Sequence, residues 1–403
     1  MKGLRRFLDK IKPNFEPGGK LSWLHSTFDG FETFLYVPKT VTKKGSHIRD
    51  AADSKRLMFV VVVALMPALL FGMFNVGLQH FRAVGELTMA SPYTFNLIWN
   101  CLWYGFLRVL PLILVSYIVG LGIEFVFAQL RGHEINEGYL VTGMLIPLIM
   151  PIDVPLWIVA LAVTFAVIIG KEVFGGTGMN VFNPALLARA FIFFGYTPFM
   201  SGDKVYIDGL LQGEGIDGFS GATQLSNIAD ASLAGAPMAD LGGYSIWDSI
   251  IGTVPGVVGE TSVIAIVLGA AILLFTGVAS WRIMLSIVAG GLGMGLLFNL
   301  IGGNVYMDVP AWQHLLLGGF MFGTVFMATD PVTSAQTDTG KWIYGAIIGI
   351  MTVLIRVVNP GYPEGMMLAI LFMNAMAPLV DHYVVGANVR RRNKRLKVVT
   401  AKQ

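Results

Sequence analysis

The residues able to do chemistry are few and far apart in this chain. Thr223 closes the run Asp217-Gly-Phe-Ser-Gly-Ala-Thr223, inside the longest polar segment of an otherwise apolar sequence. Its hydroxyl stands on a backbone of small residues, Ser220, Gly221 and Ala222. Such a stretch is flexible enough to enter another enzyme's active site and accept a transferred group. Asp217 supplies recognition by that enzyme, or simply a turn. Spacing alone makes this a weak motif, because loops of Ser, Gly, Ala and Thr are common.

A second set is ionisable and embedded. Glu124, Arg189, Arg356 and Asp381 lie in or at the edge of apolar runs, and Asp330 sits at a break between two of them. A charge at mid-membrane costs roughly 2.5–3.5 kcal/mol unless it is paired or wet. Pairing is the simpler reading of each alone; together with the Asp330 break they point to a cation path. Arg189, just past Pro184, is placed to neutralise a carboxylate or to contact an anion. The stretch Lys171-Glu-Val-Phe-Gly-Gly-Thr-Gly-Met-Asn180-Val-Phe-Asn183-Pro reads as a ligand loop, or as glycine-mediated tight packing. It lacks both nucleotide-loop patterns. The six His show no metal-ligand spacing, and no Ser-His-Asp or H-E-x-x-H arrangement is present. The single Cys101 excludes an internal disulfide.

The elements holding these residues must be membrane helices. Hydrophobic residues make up 55% of the chain and charged residues 13%, about half the charged share of a soluble domain. Ten apolar runs are visible: 57–75, 109–129, 139–151, 155–170, 184–199, 261–279, 283–301, 312–328, 342–357 and 366–383. Run 139–151 is short for a ~30 Å hydrocarbon layer and reads as a half-helix or re-entrant segment. The polar, basic first 56 residues carry no cleavable signal pattern. Twelve of the 28 Lys and Arg lie in residues 1–57 and seven in 385–403, which places both ends in the cytoplasm and requires an even number of spans. The basic tails imply orientation and contact with anionic lipid, with no nucleic acid. The connection 200–256 then falls outside. The segments are 1–56, a basic cytoplasmic extension; 57–199 and 257–384, two membrane repeats; 200–256, the outer loop; and 385–403, a basic tail.

The chain also repeats itself. Asp153 in Pro151-Ile-Asp-Val-Pro155 precedes Asn183-Pro184 by 30 residues, and Asp330 in Thr329-Asp-Pro331 precedes Asn359-Pro360 by 29. Five spans per half would invert the second half, the architecture of many transporters, whose sites form at interrupted helices. Asn-Pro and Asp-Pro also simply start helices.

These residues resemble the B subunit of the bacterial Na+-translocating NADH:quinone reductase. The likeness runs through Phe15-Glu-Pro-Gly-Gly-Lys20, Val41-Thr-Lys-Lys44, His47-Ile-Arg-Asp50, Lys171 to Gly178, Phe182-Asn-Pro-Ala185, Asp217 to Thr223, Pro255 to Glu260, Met327 to Pro331, Arg356 to Pro360 and Pro363 to Ala369. The D subunit of the Rnf-type ferredoxin:NAD+ reductase shares the Ser-Gly-Ala-Thr loop, but the basic extension with Phe15 to Lys20 fits the quinone reductase better. A urea-type channel without flavin is the reading from another class. The resemblance implies an all-α polytopic membrane protein of about ten transmembrane helices in two inverted five-helix repeats, like urea transporters. It implies FMN joined to Thr223 by a phosphoester, with Asp217, Ser220, Gly221 and Ala222 read by a flavin transferase. It further implies a noncovalent riboflavin, a quinone site, and a six-subunit complex of the bacterial inner membrane. NADH would be oxidised in one of the five partners, A, C, D, E and F. Family acids tied to Na+ handling match Glu124, Asp330 and Asp381. A Gly-Gly pair associated with the quinone pocket is here Gly120-Leu121.

Overall fold

The computed structural model describes residues 2–16, 54–88, 91–131, 138–213, 215–216, 220–236, 241, 243–359 and 364–400, with scattered positions between 18 and 46. Every regular element among them is helical. In order these are α1 (Lys2–Ile11), α2 (Ser54–Ala83), α3 (Phe95–Arg131), α4 (Tyr139–Ile149), α5 (Leu156–Ile168), α6 (Pro184–Gly195), α7 (Gln224–Ala234), α8 (Ile246–Ile251), α9 (Val263–Phe275), α10 (Trp281–Ile301), α11 (Gln313–Leu316), α12 (Phe320–Phe322), α13 (Asp338–Val358) and α14 (Met366–Thr400). Helix suits such long apolar runs, because in lipid it gives every backbone group a partner within its own segment.

Among the described residues six helices are long and apolar enough to cross a membrane: Arg56–Ala83, Phe95–Arg131, Leu156–Phe174, Trp281–Ile301, Asp338–Val358 and Met366–Arg395. Helices α4, α6 and α9 are apolar but shorter. The remaining apolar run, 312–328, is not one helix. It breaks after Leu316, resumes at Phe320 and widens into a π-turn over Gly323–Met327. Arg356 of α13 holds the break together. Its guanidinium donates to the carbonyls of His314 (2.6 Å), Leu317 (2.8 Å) and Glu364 (3.1 Å). Carbonyls released by the break thus regain partners.

Close helix contacts rely on missing side chains. A Cβ at Gly349 would lie 2.1 Å from the Ile287 carbonyl, and one at Gly345 would lie 1.9 Å from Ser286 Oγ. These glycines let α13 lie against α10, as small residues do between membrane helices. Two pairings recur along the chain, while the packing of α2 on α3 has no comparable counterpart between α9 and α10 among the described residues. α3 packs on α5 as α10 packs on α13, and α5 on α6 as α13 on α14. Between the two sets, α2 packs on α9 and α6 on α14.

The described residues of the polar connection 200–256 carry α7 and α8. They are fastened to the ends of α2 and α3. Asp208 takes the Tyr104 hydroxyl and Arg108 Nε (2.9 Å), while Gln79 Nε2 and Arg82 Nη1 donate to the Thr253 carbonyl at 3.0 and 3.2 Å. This explains why α3 begins at Phe95 rather than near residue 109: Arg108 interrupts the apolar run but not the helix, because Asp208 neutralises it.

Candidate functional site

Thr223 is the N-cap of α7. Its Oγ1 accepts a hydrogen bond from the Ser226 amide at 3.2 Å. Gly221 precedes it with φ +68°, and a Cβ there would lie 2.6 Å from Leu210 Cδ2, so only glycine suits both the turn and the space. Ala222 is buried and Ser220 is exposed, its Oγ accepting from the Ala222 amide at 3.4 Å. Thr223 itself is half-buried, where the sequence suggests an exposed hydroxyl on a loose loop. The difference comes from α7, whose capping order the sequence pattern hides. Asp217 lies outside the described residues.

Thr223 lines a first cavity of about 100 Å3, called the outer cavity after the side expected for the 200–256 connection, with Arg189, Tyr206, Gln224, Glu260, Thr261 and Glu364 also in its wall. Arg189 of α6 reaches Glu260 with Nη1 and Glu364 with Nη2, both at 2.6 Å. Of the two roles open to Arg189 in the sequence, neutralising a carboxylate is the one seen, twice over. Arg356 lies within electrostatic reach of both acids. Glu260 and Glu364 received no role from sequence alone; their only signal was membership of the glycine-bearing stretches 255–260 and 363–369.

A second cavity of about 270 Å3, called the inner cavity after the side expected for the Lys171 loop, lies among α2, α4, α6, α9 and the π-turn. Its polar wall includes Lys171, Thr177, Asn180, Asn183, Thr329 and Asp330, and its apolar wall includes Leu57, Val61, Leu145, Leu273 and Phe326. The loop after α5 forms one side. Gly175, Gly176 and Gly178 have φ of +122°, +100° and +89°, and a Cβ at Gly178 would meet nothing within 4 Å. These glycines serve turns of positive φ, and none of them meets a neighbour closer than 3.4 Å, so tight helix packing does not account for them. The loop is pinned to α3 by two ion pairs: Lys171 to Glu124, in close contact, and Arg131 Nη1 to Glu172 Oε2 at 3.1 Å.

The predicted acids separate. Glu124 is buried and held by Lys171. Asp330 accepts from the Val332 amide (3.1 Å) and Thr333 Oγ1 (3.0 Å), with Asn183 Nδ2 at 3.5 Å. Asn183 meanwhile caps α6 through the Ala185 amide at 3.0 Å. Asp381 is elsewhere, accepting from the Gln336 and Thr337 amides (2.7 and 3.0 Å) and Thr337 Oγ1 at the start of α13. Asp153 is bound by the Gly209 and Leu211 amides at 3.2 and 3.3 Å. At the predicted quinone pair, the face of Gly120 is filled by Tyr139, whose ring a Cβ would strike at 1.9 Å; Leu121 is half-buried against the main core. Among the described residues no cluster of three or more His, Cys, Asp or Glu could hold a metal.

Comparison with known proteins decides the family. The family described as "NQR2, RnfD, RnfE family" matches residues 41–390, which span both cavities. The chain belongs to this family. Its relatives include proteins named as the B subunit of the Na(+)-translocating NADH-quinone reductase. The one from Chromohalobacter salexigens is 47% identical, covering 98% of this chain and 97% of the relative. The one from Ectopseudomonas mendocina is 47% identical over 97% and 98%, and that from Azotobacter vinelandii is 46% identical over 96% and 98%. Within this NQR2, RnfD, RnfE chain, every acid and every threonine discussed above lies inside the matched region.

Proposed function

We propose that the chain is the membrane-embedded B subunit of a Na+-translocating NADH:quinone reductase, with FMN carried on Thr223 as a phosphoester. The observation that carries this reading is the place of Thr223: a helix N-cap at the edge of a cavity. A phosphoester on Oγ1 would sit at the N-terminus of an eleven-residue helix, where free amides and the helix dipole favour an anion. Arg189 is already balanced by two carboxylates, so the α7 terminus is the group that would hold the phosphate. Gln224, Ser226 and Thr261 add polar groups to the same wall. A noncovalent riboflavin belongs in the inner cavity, whose volume approaches the lower end of the ~300–1,000 Å3 typical of small-molecule sites and whose walls are apolar on one side and polar on the other. Bound flavin supplies the electron transfer; this chain supplies tether, orientation and exclusion of water.

In this reading the two matching sets of packed helices are inverted repeats, urea-transporter-like, joined by the outer loop. Both termini face the cytoplasm of the bacterial inner membrane and Thr223 faces the periplasm, where a flavin transferase reaches it. Five partner subunits complete the complex, one of them oxidising NADH. Electrons pass toward quinone, approaching near Gly120 and Leu121, while Na+ leaves past Glu124 and Asp330, with Asp381 acting on the start of α13. Outward Na+ movement costs ~2.3 kcal/mol per 100 mV, which electron transfer must supply. The test is in-gel flavin fluorescence under denaturing conditions after co-expression with a flavin transferase. A fluorescent band at the mass of this chain, lost in Thr223→Ala and kept in the wild type, is expected. A band that persists in Thr223→Ala, or none in the wild type, overturns the attachment.

A further inference from the structure

Lys171 is the one cation lining the inner cavity among the described residues. Its side chain is 4% exposed and its ion-pair partner Glu124 is 6% exposed. Glu124 belongs to α3 and does not line the cavity. The ammonium also lies 5.9 Å from the centroid of the Tyr139 ring. Lys171 is not free to wander: the next residue, Glu172, is gripped by Arg131 through both its carboxylate (3.1 Å) and its carbonyl (2.7 Å). Asp330 shares the cavity wall, held by an amide, a hydroxyl and an amide side chain, none of them charged. A charged ammonium beside a largely apolar cavity acts over a longer distance than it would in water.

We propose that Lys171 is a positioning residue that sets the redox potential of a flavin ring in the inner cavity, and that Glu124 sets how much of its charge the ring feels. This rests on the placement of noncovalent flavin there. Reduction adds negative charge to the ring system, and a nearby cation favours the reduced form. Glu124 opposes this by offsetting the ammonium, so the two residues act with opposite sign. At about 10 Å and an effective dielectric of about 20, one charge changes the reduced-to-oxidised ratio on the order of tenfold, which is about 59 mV for one electron.

The experiment uses the purified complex and reads two quantities: acid-extractable riboflavin, by chromatography, and its midpoint potential, by spectroelectrochemical titration. Filling the cavity with Thr177→Trp or Val61→Trp is expected to remove the riboflavin. Lys171→Met is expected to lower the potential by about 59 mV, Glu124→Gln to raise it, and the double variant to fall between. Lys171→Arg keeps the wild-type value. Where Lys171→Met alone fails to assemble, Glu124→Gln and the double variant carry the comparison, since the latter leaves no unpaired buried charge from this pair. Full riboflavin content in both cavity-filling variants overturns the placement. Loss of riboflavin there, with unchanged potentials in the charge variants, overturns the role of Lys171 and leaves the placement standing.

Discussion

One oxygen of Thr223 has two uses: it ends the run that resembles a flavin acceptor, and it caps α7. Thr223→Ala therefore removes both, and the capping part costs about 1 kcal/mol. Thr223→Ser keeps the cap, so comparing thermal midpoints of the two variants separates the effects; the alanine variant should melt lower than the serine variant. Asp153 offers a second test. Burial pushes its carboxyl up to about 6, while the Gly209 and Leu211 amides pull the other way. A carboxyl raised in the folded state stabilises the fold fully below its unfolded value of about 4, and that stabilisation is lost as pH rises through about 6. The thermal midpoint of wild type relative to Asp153→Asn should therefore fall between pH 4 and pH 6.5, measured by fluorescence scanning in detergent. A difference that stays flat across this range refutes the assignment. The motif at 217–223 was legible in the sequence. A carboxylate partner for Arg189 was legible as one of two roles; its identity as Glu260 and Glu364 was not, because side chains distant in sequence leave no mark on local pattern.

At the scale of elements, apolar runs located the membrane helices, since length and lack of charge are what lipid demands. Two errors have physical causes. Arg108 truncated the run that became α3, because its partner Asp208 lies a hundred residues downstream. Run 312–328 carries no Asp, Glu, Lys or Arg yet is broken, and Arg356 supplies from α13 the donors that an unbroken helix would not need. Sequence left Arg356 either structurally paired or part of a cation path; in the structure it braces the broken segment. Arg356→Met should strand buried carbonyls and lower stability by on the order of 3 kcal/mol or more. Arg356→Lys, with one donor head in place of a planar fork, should recover only part. Equal melting of all three proteins in detergent would contradict the brace.

For the whole molecule, the proposed sidedness puts the outer cavity and the inner cavity on opposite faces. Cys101 is fully buried, so cysteines introduced elsewhere report without background. Ser220→Cys should react with a membrane-impermeant maleimide added outside intact cells. Met179→Cys, where the native side chain is 67% exposed beside the glycine loop, should react only after the membrane is opened. Labelling of both from one side would refute the arrangement. The outer cavity also holds a charge balance. Arg189, Glu260 and Glu364 line that cavity, Arg356 lies within electrostatic reach of both acids, and the formal charges of the four cancel. Losing one leaves a net charge buried in a low-dielectric wall, a penalty of several kcal/mol. Substitutions across the family should therefore come in even steps: an acid lost at either glutamate position accompanied by a basic residue lost at one of the arginine positions, a parity rule that an alignment column can obey or break.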